Sequence, residues 1–180
     1  MKVLIASDIH GRLYRMVELS SLIGKVKPDK IILLGDFLYN GPRNGVPDDY
    51  DPLAVSSLLN AYAKSAIGIK GNCDSRIDDD LLGFPLKNNR VLRINGYRCD
   101  LYHGDAYSIK GLKPHLGDIL MSGHTHIWVL KKENGYFYLN PGSISFPKGG
   151  NGPTYALFED KTLTVNSFPD GAVVASLQLP

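Results

Sequence analysis

Val3-Leu4-Ile5-Ala6-Ser7-Asp8-Ile9-His10 opens the chain with a short apolar run that stops on an Asp-x-His pair. A continuous aliphatic run of this length, bounded by polar residues, reads as a strand buried on both faces. The same form returns at Lys30-Ile31-Ile32-Leu33-Leu34-Gly35-Asp36 and again at Ala66-Ile67-Gly68-Ile69-Lys70-Gly71-Asn72-Cys73-Asp74. Between these runs the pattern changes period. Leu13, Met16, Leu19, Leu22, Ile23 and Val26 fall near helical spacing and predict a helix from Arg12 to Val26, with Pro28 just past its end. A second amphipathic helix is predicted from Pro52 to Lys64 on Leu53, Val55, Leu58, Leu59 and Tyr62. Strand–helix alternation of this kind predicts a parallel sheet with crossover helices. Ligands of such sheets sit beyond the carboxyl ends of the strands. Asp8, Asp36 and Asn72 all fall there, which argues for one shared site.

The second half reads mainly as strands. Val91 to Ile94 and Arg98 to His103 flank Asn95-Gly96, and Ile127 to Glu133 and Tyr136 to Asn140 flank Asn134-Gly135. Asn-Gly between apolar runs is a strong hairpin signal. Asp118 to Ser122 leads into Gly123-His124, and Thr154 to Glu159, Leu163 to Ser167 and Val173 to Leu179 complete the predicted strands. Periodicity alone gives a mixed α/β fold.

Composition sets the outer bounds. The 180 residues fit one domain, residues 1–180, with 43% hydrophobic and 21% charged residues as in ordinary globular chains. A net charge of +2 is too small to imply a nucleic-acid partner on electrostatics alone. Of the two cysteines, Cys73 lies inside a ligand-rich motif, so a structural disulfide with Cys99 is not expected and a reducing compartment fits. The N-terminal run leads straight into Asp8 and reads as a strand rather than a signal peptide. No stretch approaches the ~20 apolar residues needed to span a membrane. The expected location is the cytoplasm.

The chemistry lies in five segments: Asp8-Ile9-His10, Gly35-Asp36, Gly71-Asn72-Cys73-Asp74, His103-Gly104 and Gly123-His124-Thr125-His126. Each alone has a plain structural reading. Asp8 suits a helix cap, Asp36 and Asn72 suit turns, and alternating His124 and His126 share a face of any extended segment. Together, Asp8, His10, Asp36, Asn72, His103, His124 and His126 form a mixed nitrogen and oxygen ligand set. Two divalent cations about 3.5–4 Å apart can activate water and polarise phosphoryl oxygens. Holding them that close requires an anionic bridge, which a short Asp side chain provides. The set therefore points to a binuclear metal site and to phosphoester hydrolysis. Imidazole suits zinc, iron and similar ions, while carboxylate and carbonyl suit manganese and magnesium.

In this order, the five motifs resemble those of the calcineurin-like metallophosphoesterase superfamily, over nearly the whole chain. Small size, Gly41-Pro42-Arg43-Asn44, Asn140-Pro141-Gly142-Ser143 and Pro147-Lys148-Gly149-Gly150 are similar to its bacterial YfcE-type phosphodiesterases. The resemblance implies a four-layer α/β/β/α sandwich of two mixed β-sheets flanked by helices. It implies that Asp8, His10 and His126 bind one metal, that Asn72, His103 and His124 bind the other, and that Asp36 bridges them. The expected cofactor is a pair of divalent ions, manganese first, with zinc, iron, cobalt or nickel as alternatives. The expected substrate is a small-molecule phosphodiester, and a homodimer or homotetramer fits the resemblance. Many members carry His after the Asn; Cys73 stands there instead, as it does in the YfcE-type proteins. A thiol of ordinary pKa near 8.5 is a different acid from imidazolium, which predicts a preference for good leaving groups. Runner-up activities are phosphomonoester and cyclic-nucleotide hydrolysis. A non-catalytic scaffold similar to the retromer subunit Vps29 is the alternative from another class.

Three further residues are expected at the reaction. Arg43 would pair with phosphate oxygens, which guanidinium binds bidentately. Cys73 would line the leaving-group side. Asp74 would hold a ligand histidine in its tautomer, a common role for a neighbouring carboxylate. Asn44 is a weaker candidate, Lys148 reads as solvated, and His115 reads as a surface or loop histidine. Tyr39, Tyr50, Tyr107 and Phe146 either form an aromatic wall for an aryl group or nucleobase or pack under loops.

Overall fold

The computed structural model describes residues 1–106 and 112–180. The first half contains β1 (Lys2–Ala6), α1 (Leu13–Val26), β2 (Lys30–Leu33), α2 (Pro52–Asn60), β3 (Ala66–Ile69), α3 (Arg76–Leu81) and β4 (Leu86–Lys87). The second half contains β5 (Asn89–Ile94), β6 (Tyr97–Tyr102), β7 (Ile119–Met121), β8 (Val129–Glu133), β9 (Tyr136–Asn140), β10 (Thr154–Glu159), β11 (Thr162–Ser167) and β12 (Val173–Gln178).

These strands form two mixed sheets, ordered β12-β11-β10-β1-β2-β3-β4 and β5-β6-β7-β9-β8. In the first, β1, β2, β3 and β4 pair in parallel, and β10 joins β1 antiparallel with Ile5 opposite Ala156. The parallel strands are apolar on both faces because both faces are buried. Leu4, Ala6, Ile31 and Leu33 pack with Met16, Leu19 and Ile23 of α1 and Val55 and Leu59 of α2. On the opposite face, Val3, Ile5, Ile32 and Leu34 meet Leu101, Ile119, Met121 and Leu139 of the second sheet. Each strand's alternation therefore feeds two cores, one under the helices and one between the sheets. Among the described residues the helices gather on the side of the larger sheet.

Local chemistry sets the ends of these elements. Asp51 caps α2 by accepting the Ala54 N–H at 2.9 Å, and Pro52 follows in the first turn. Helix α2 stops at Asn60, short of the predicted Lys64, and turns Ala61–Ser65 carry the chain into β3. Helix α3, absent from the sequence-based expectation, starts at a capping box made by Ser75 and Asp78. Both Asn-Gly turns have positive φ at both residues, 50° and 91° at Asn95-Gly96 and 52° and 82° at Asn134-Gly135, as a tight hairpin requires. No helix among the described residues is long and apolar enough to cross a membrane.

Candidate metal centre

All five motifs sit at the carboxyl ends of strands on one edge of the sandwich, after β1, β2, β3, β6 and β7. Pairing continues beyond the first two strands: the Asp8 N–H donates to Gly35 O at 3.0 Å and the His10 N–H to Asp36 O at 2.9 Å. That register brings Asp8, His10 and Asp36 side by side. Asp8, His10, Asp36, His124 and His126 all have φ between 53° and 68°. Left-handed backbone costs a non-glycine residue roughly 1–2 kcal/mol, and such strain gathers at functional sites. The adjoining glycines provide close approach. A Cβ at Gly35 would lie 2.5 Å from His103 Nδ1, and one at Gly71 would overlap Asp36.

Two donor groups result, joined by one carboxylate. His10 Nε2 lies 3.3 Å from His126 Nε2, and Asp8 Oδ1 lies 3.4 Å from His126 Nε2. Asn72 Oδ1 lies 3.0 Å from His103 Nε2 and 2.7 Å from His124 Nδ1. Between them, Asp36 Oδ2 lies 3.6 Å from His10 Nε2 and 3.5 Å from His103 Nε2. Asp8, Asp36, His10, His103 and His126 are buried, while Asn72 and His124 face the opening.

Three imidazoles are oriented through their other nitrogen. Nδ1 lies 2.8 Å from Tyr39 O in His10, 2.6 Å from Leu34 O in His103 and 2.7 Å from Phe146 O in His126. A carbonyl accepts only, so each Nδ1 donates, which turns each Nε2 toward the other candidate ligands. Burial holds His10 and His124 below the ordinary imidazole range, which keeps them neutral. For Asp36, burial pushes the carboxyl up, but His103 and the Cys73 N–H outweigh it and hold it at about 2. Burial lowers His103, yet Asp36 and Asp8 raise it to about 9. Asp36 and His103 thus favour each other's charged forms.

Asp74 takes a different place from the one expected. Its carboxylate accepts the N–H groups of Asp36 at 2.8 Å, Phe37 at 2.7 Å and Gly71 at 2.7 Å. It therefore clamps the backbone of two ligand loops and orients no histidine. Burial and the nearby Asp36 push its carboxyl up to about 7, against three donors that favour the ionised form. Cys73 is half-buried; its N–H donates to Asp36 Oδ1 at 2.9 Å and its Sγ lies 3.4 Å from Asn72 Nδ2. Burial, then Asp36, pushes the thiol up to about 12.

A cleft of about 180 Å³ opens over these groups, lined in part by Arg43, Asn44, Cys73 and Lys148. Arg43 and Lys148 are both exposed. Lys148 is exposed, as expected, and stands at the cleft because its N–H is tied to His126 O at 3.0 Å. Phe146 forms no wall of the cleft; its edge packs on His10 at 5.6 Å between ring centroids, with the Arg12 guanidinium over it at 5.4 Å. Tyr39 and Tyr50 line an adjoining hollow, and Tyr107 lies outside the described residues. His115 is exposed, as expected, and sits 3.7 Å from Asp118.

The donors fit divalent ions. Asp8 Oδ1 is buried without a hydrogen-bond partner, a cost that a bound cation would remove. Asp8, His10 and His126, and likewise Asp8, Asp36 and His103, converge within 4.8 Å. Two facing mixed sheets with carboxylates and imidazoles at their strand ends, under a cationic rim, define a metal-dependent phosphoesterase. The chain belongs to the calcineurin-like phosphoesterase superfamily, whose domain matches residues 1–162. It is 36% identical to phosphodiesterase YfcE of Escherichia coli over 99% of this chain and 98% of that one. The structure of the E. coli phosphoesterase YfcE superposes with a TM-score of 0.94 at 35% identity, covering both chains completely. Vps29 of Cryptosporidium parvum shares the fold at a TM-score of 0.65 and 20% identity, over 98% of this chain and 97% of that one.

Proposed function

We propose that the protein is a phosphodiesterase for small-molecule diesters that works with two divalent ions, manganese first among them. The observation that carries this reading is Asp36 Oδ2, which stands 3.6 Å from His10 Nε2 and 3.5 Å from His103 Nε2. One carboxylate oxygen shared by two donor groups is what a bridging ligand requires. Asp8, His10 and His126 would hold one ion, and Asn72, His103 and His124 the other. When bound, such a pair activates a water for attack and polarises the phosphoryl oxygens.

The chain's own groups do the rest. Arg43 and Lys148 at the cleft's rim pair with non-bridging phosphoryl oxygens. No side chain is needed as the nucleophile, so no covalent enzyme intermediate forms. Cys73 borders the departing alcohol as a neutral thiol and a poor proton donor, so alcohols of low pKa leave fastest. A scaffold role would not require seven converging ligands, five of them on left-handed backbone and three with Nδ1 tied to a carbonyl.

The test is hydrolysis of bis(p-nitrophenyl) phosphate by metal-stripped protein after adding manganese, zinc, cobalt, nickel or magnesium. Asp36→Asn and p-nitrophenyl phosphate serve as controls. Diester turnover that returns with manganese and disappears in Asp36→Asn supports the reading. No turnover with any metal by folded, ion-loaded protein sinks it.

A further inference from the structure

A second, mainly apolar cavity of about 600 Å³ adjoins the cleft, and Cys73 lines both. Leu38, Tyr39, Tyr50, Leu53, Ile77 and Leu81 contribute to its walls. Its size is that of a site for a ligand much larger than a phosphate group. Its lining residues touch the ligand loops. The Tyr39 carbonyl that orients His10 belongs to the same residue, and Tyr50 packs on Gly11, where a Cβ would lie 2.5 Å from its ring. Leu53, Ile77 and Tyr39 remain 63%, 66% and 45% exposed. Apolar side chains this exposed, gathered around a hollow, mark a binding surface.

We propose that this cavity is the subsite for one alcohol group of the diester, and that it takes an uncharged aryl or nucleobase-sized group. This inference rests on the phosphodiesterase reading above. A phosphorus held over the cleft has one ester oxygen on the Cys73 side, and the cavity begins at that residue. Asp78 and Asp80 also line it. They repel a further phosphate, so the group there is a terminal alcohol rather than the continuation of a polynucleotide.

Competitive inhibition of bis(p-nitrophenyl) phosphate turnover tests the subsite without requiring cleavage of the probe. The probes are dimethyl phosphate and methyl phenyl phosphate, with manganese-loaded protein. Burying one ring predicts inhibition by the phenyl ester at about tenfold lower concentration. The Leu53→Ser/Ile77→Ser double variant alters two exposed positions and should bring that ratio close to one, with dimethyl phosphate inhibiting as before. A ratio near one in the unmodified protein overturns the proposal, as does a variant that weakens both probes equally. If the variant instead changes only the sedimentation of the protein, the face joins copies of the chain and the proposal is also overturned. Turnover of the reporter diester by the unmodified protein separates this failure from failure of the phosphodiesterase reading.

Discussion

His10 Nε2 and His126 Nε2 lie 3.3 Å apart, and both rings spend their Nδ1 proton on a backbone carbonyl. With both Nδ1 atoms engaged, the two Nε2 atoms converge, and the buried Asp8 Oδ1 adds an unpaired acceptor 3.4 Å from His126. The arrangement is unfavourable for the empty protein and favourable for one holding a cation.

Chelation is therefore expected to destabilise the fold. An ion present at a hundredfold excess over its Kd contributes about 2.7 kcal/mol. For a chain of this size that is roughly 5–10 °C in Tm. Thermal melts with and without a chelator check this, and an unchanged Tm would count against the site.

Asp74→Asn should cost roughly 2–3 kcal/mol, because an amide NH2 then faces backbone donors that the carboxylate had accepted. Urea unfolding of the metal-free variant isolates the effect from ligation. A loss below about 0.5 kcal/mol would mean the clamp is ornamental.

Arg43→Ala and Lys148→Ala should each raise KM for a diester by up to about tenfold, with a smaller change in kcat, as expected for exposed cations that bind the phosphoryl group in ground and transition states alike. Steady-state kinetics of the two variants and their double distinguish this from loss of the metals, which would lower kcat.

The Arg98–Asp118 pair carries a pH signature away from the metal centre. Burial pushes the Asp118 carboxyl up, but the His115 N–H and Arg98 outweigh it and leave it below its ordinary value. A depressed carboxyl adds stability that is fully present above its unfolded value of about 4 and is lost as pH falls through the folded value. The stability gap between the unmodified protein and Asp118→Asn should be widest near neutral pH and narrow below about pH 4. Urea melts across pH 3–7 measure it, and a gap that widens in acid would contradict the assignment.

Much of this was legible in the sequence. The runs at Val3, Ile31 and Ala66 named the parallel strands because strands buried on both faces leave continuous apolar stretches. The same runs located Asp8, Asp36 and Asn72 at one edge. Both Asn-Gly turns announced their hairpins. Pairing of β6, β7 and β9 in parallel was not legible, since their partners are set by long-range packing. Periodicity does not predict α3, because six residues are too few to show one, although Ser75 followed by Asp78 is a usable capping signal. Residue type and spacing suggest a histidine partner for Asp74; only the loop geometry reveals three N–H groups converging on it. That exposed Lys148 stands at the cleft's rim is not legible in the sequence, because its tether to His126 joins distant segments. Asp and His enter the left-handed region more readily than most residues, but their identity alone does not reveal that five ligands adopt it.

The most direct measurement is manganese binding to the stripped protein, read by stoichiometry and by electron paramagnetic resonance. Two ions per chain with an exchange-coupled spectrum are expected, with loss of coupling in Asp36→Asn. A single ion, or two uncoupled ions in the unmodified protein, would contradict a bridging Asp36.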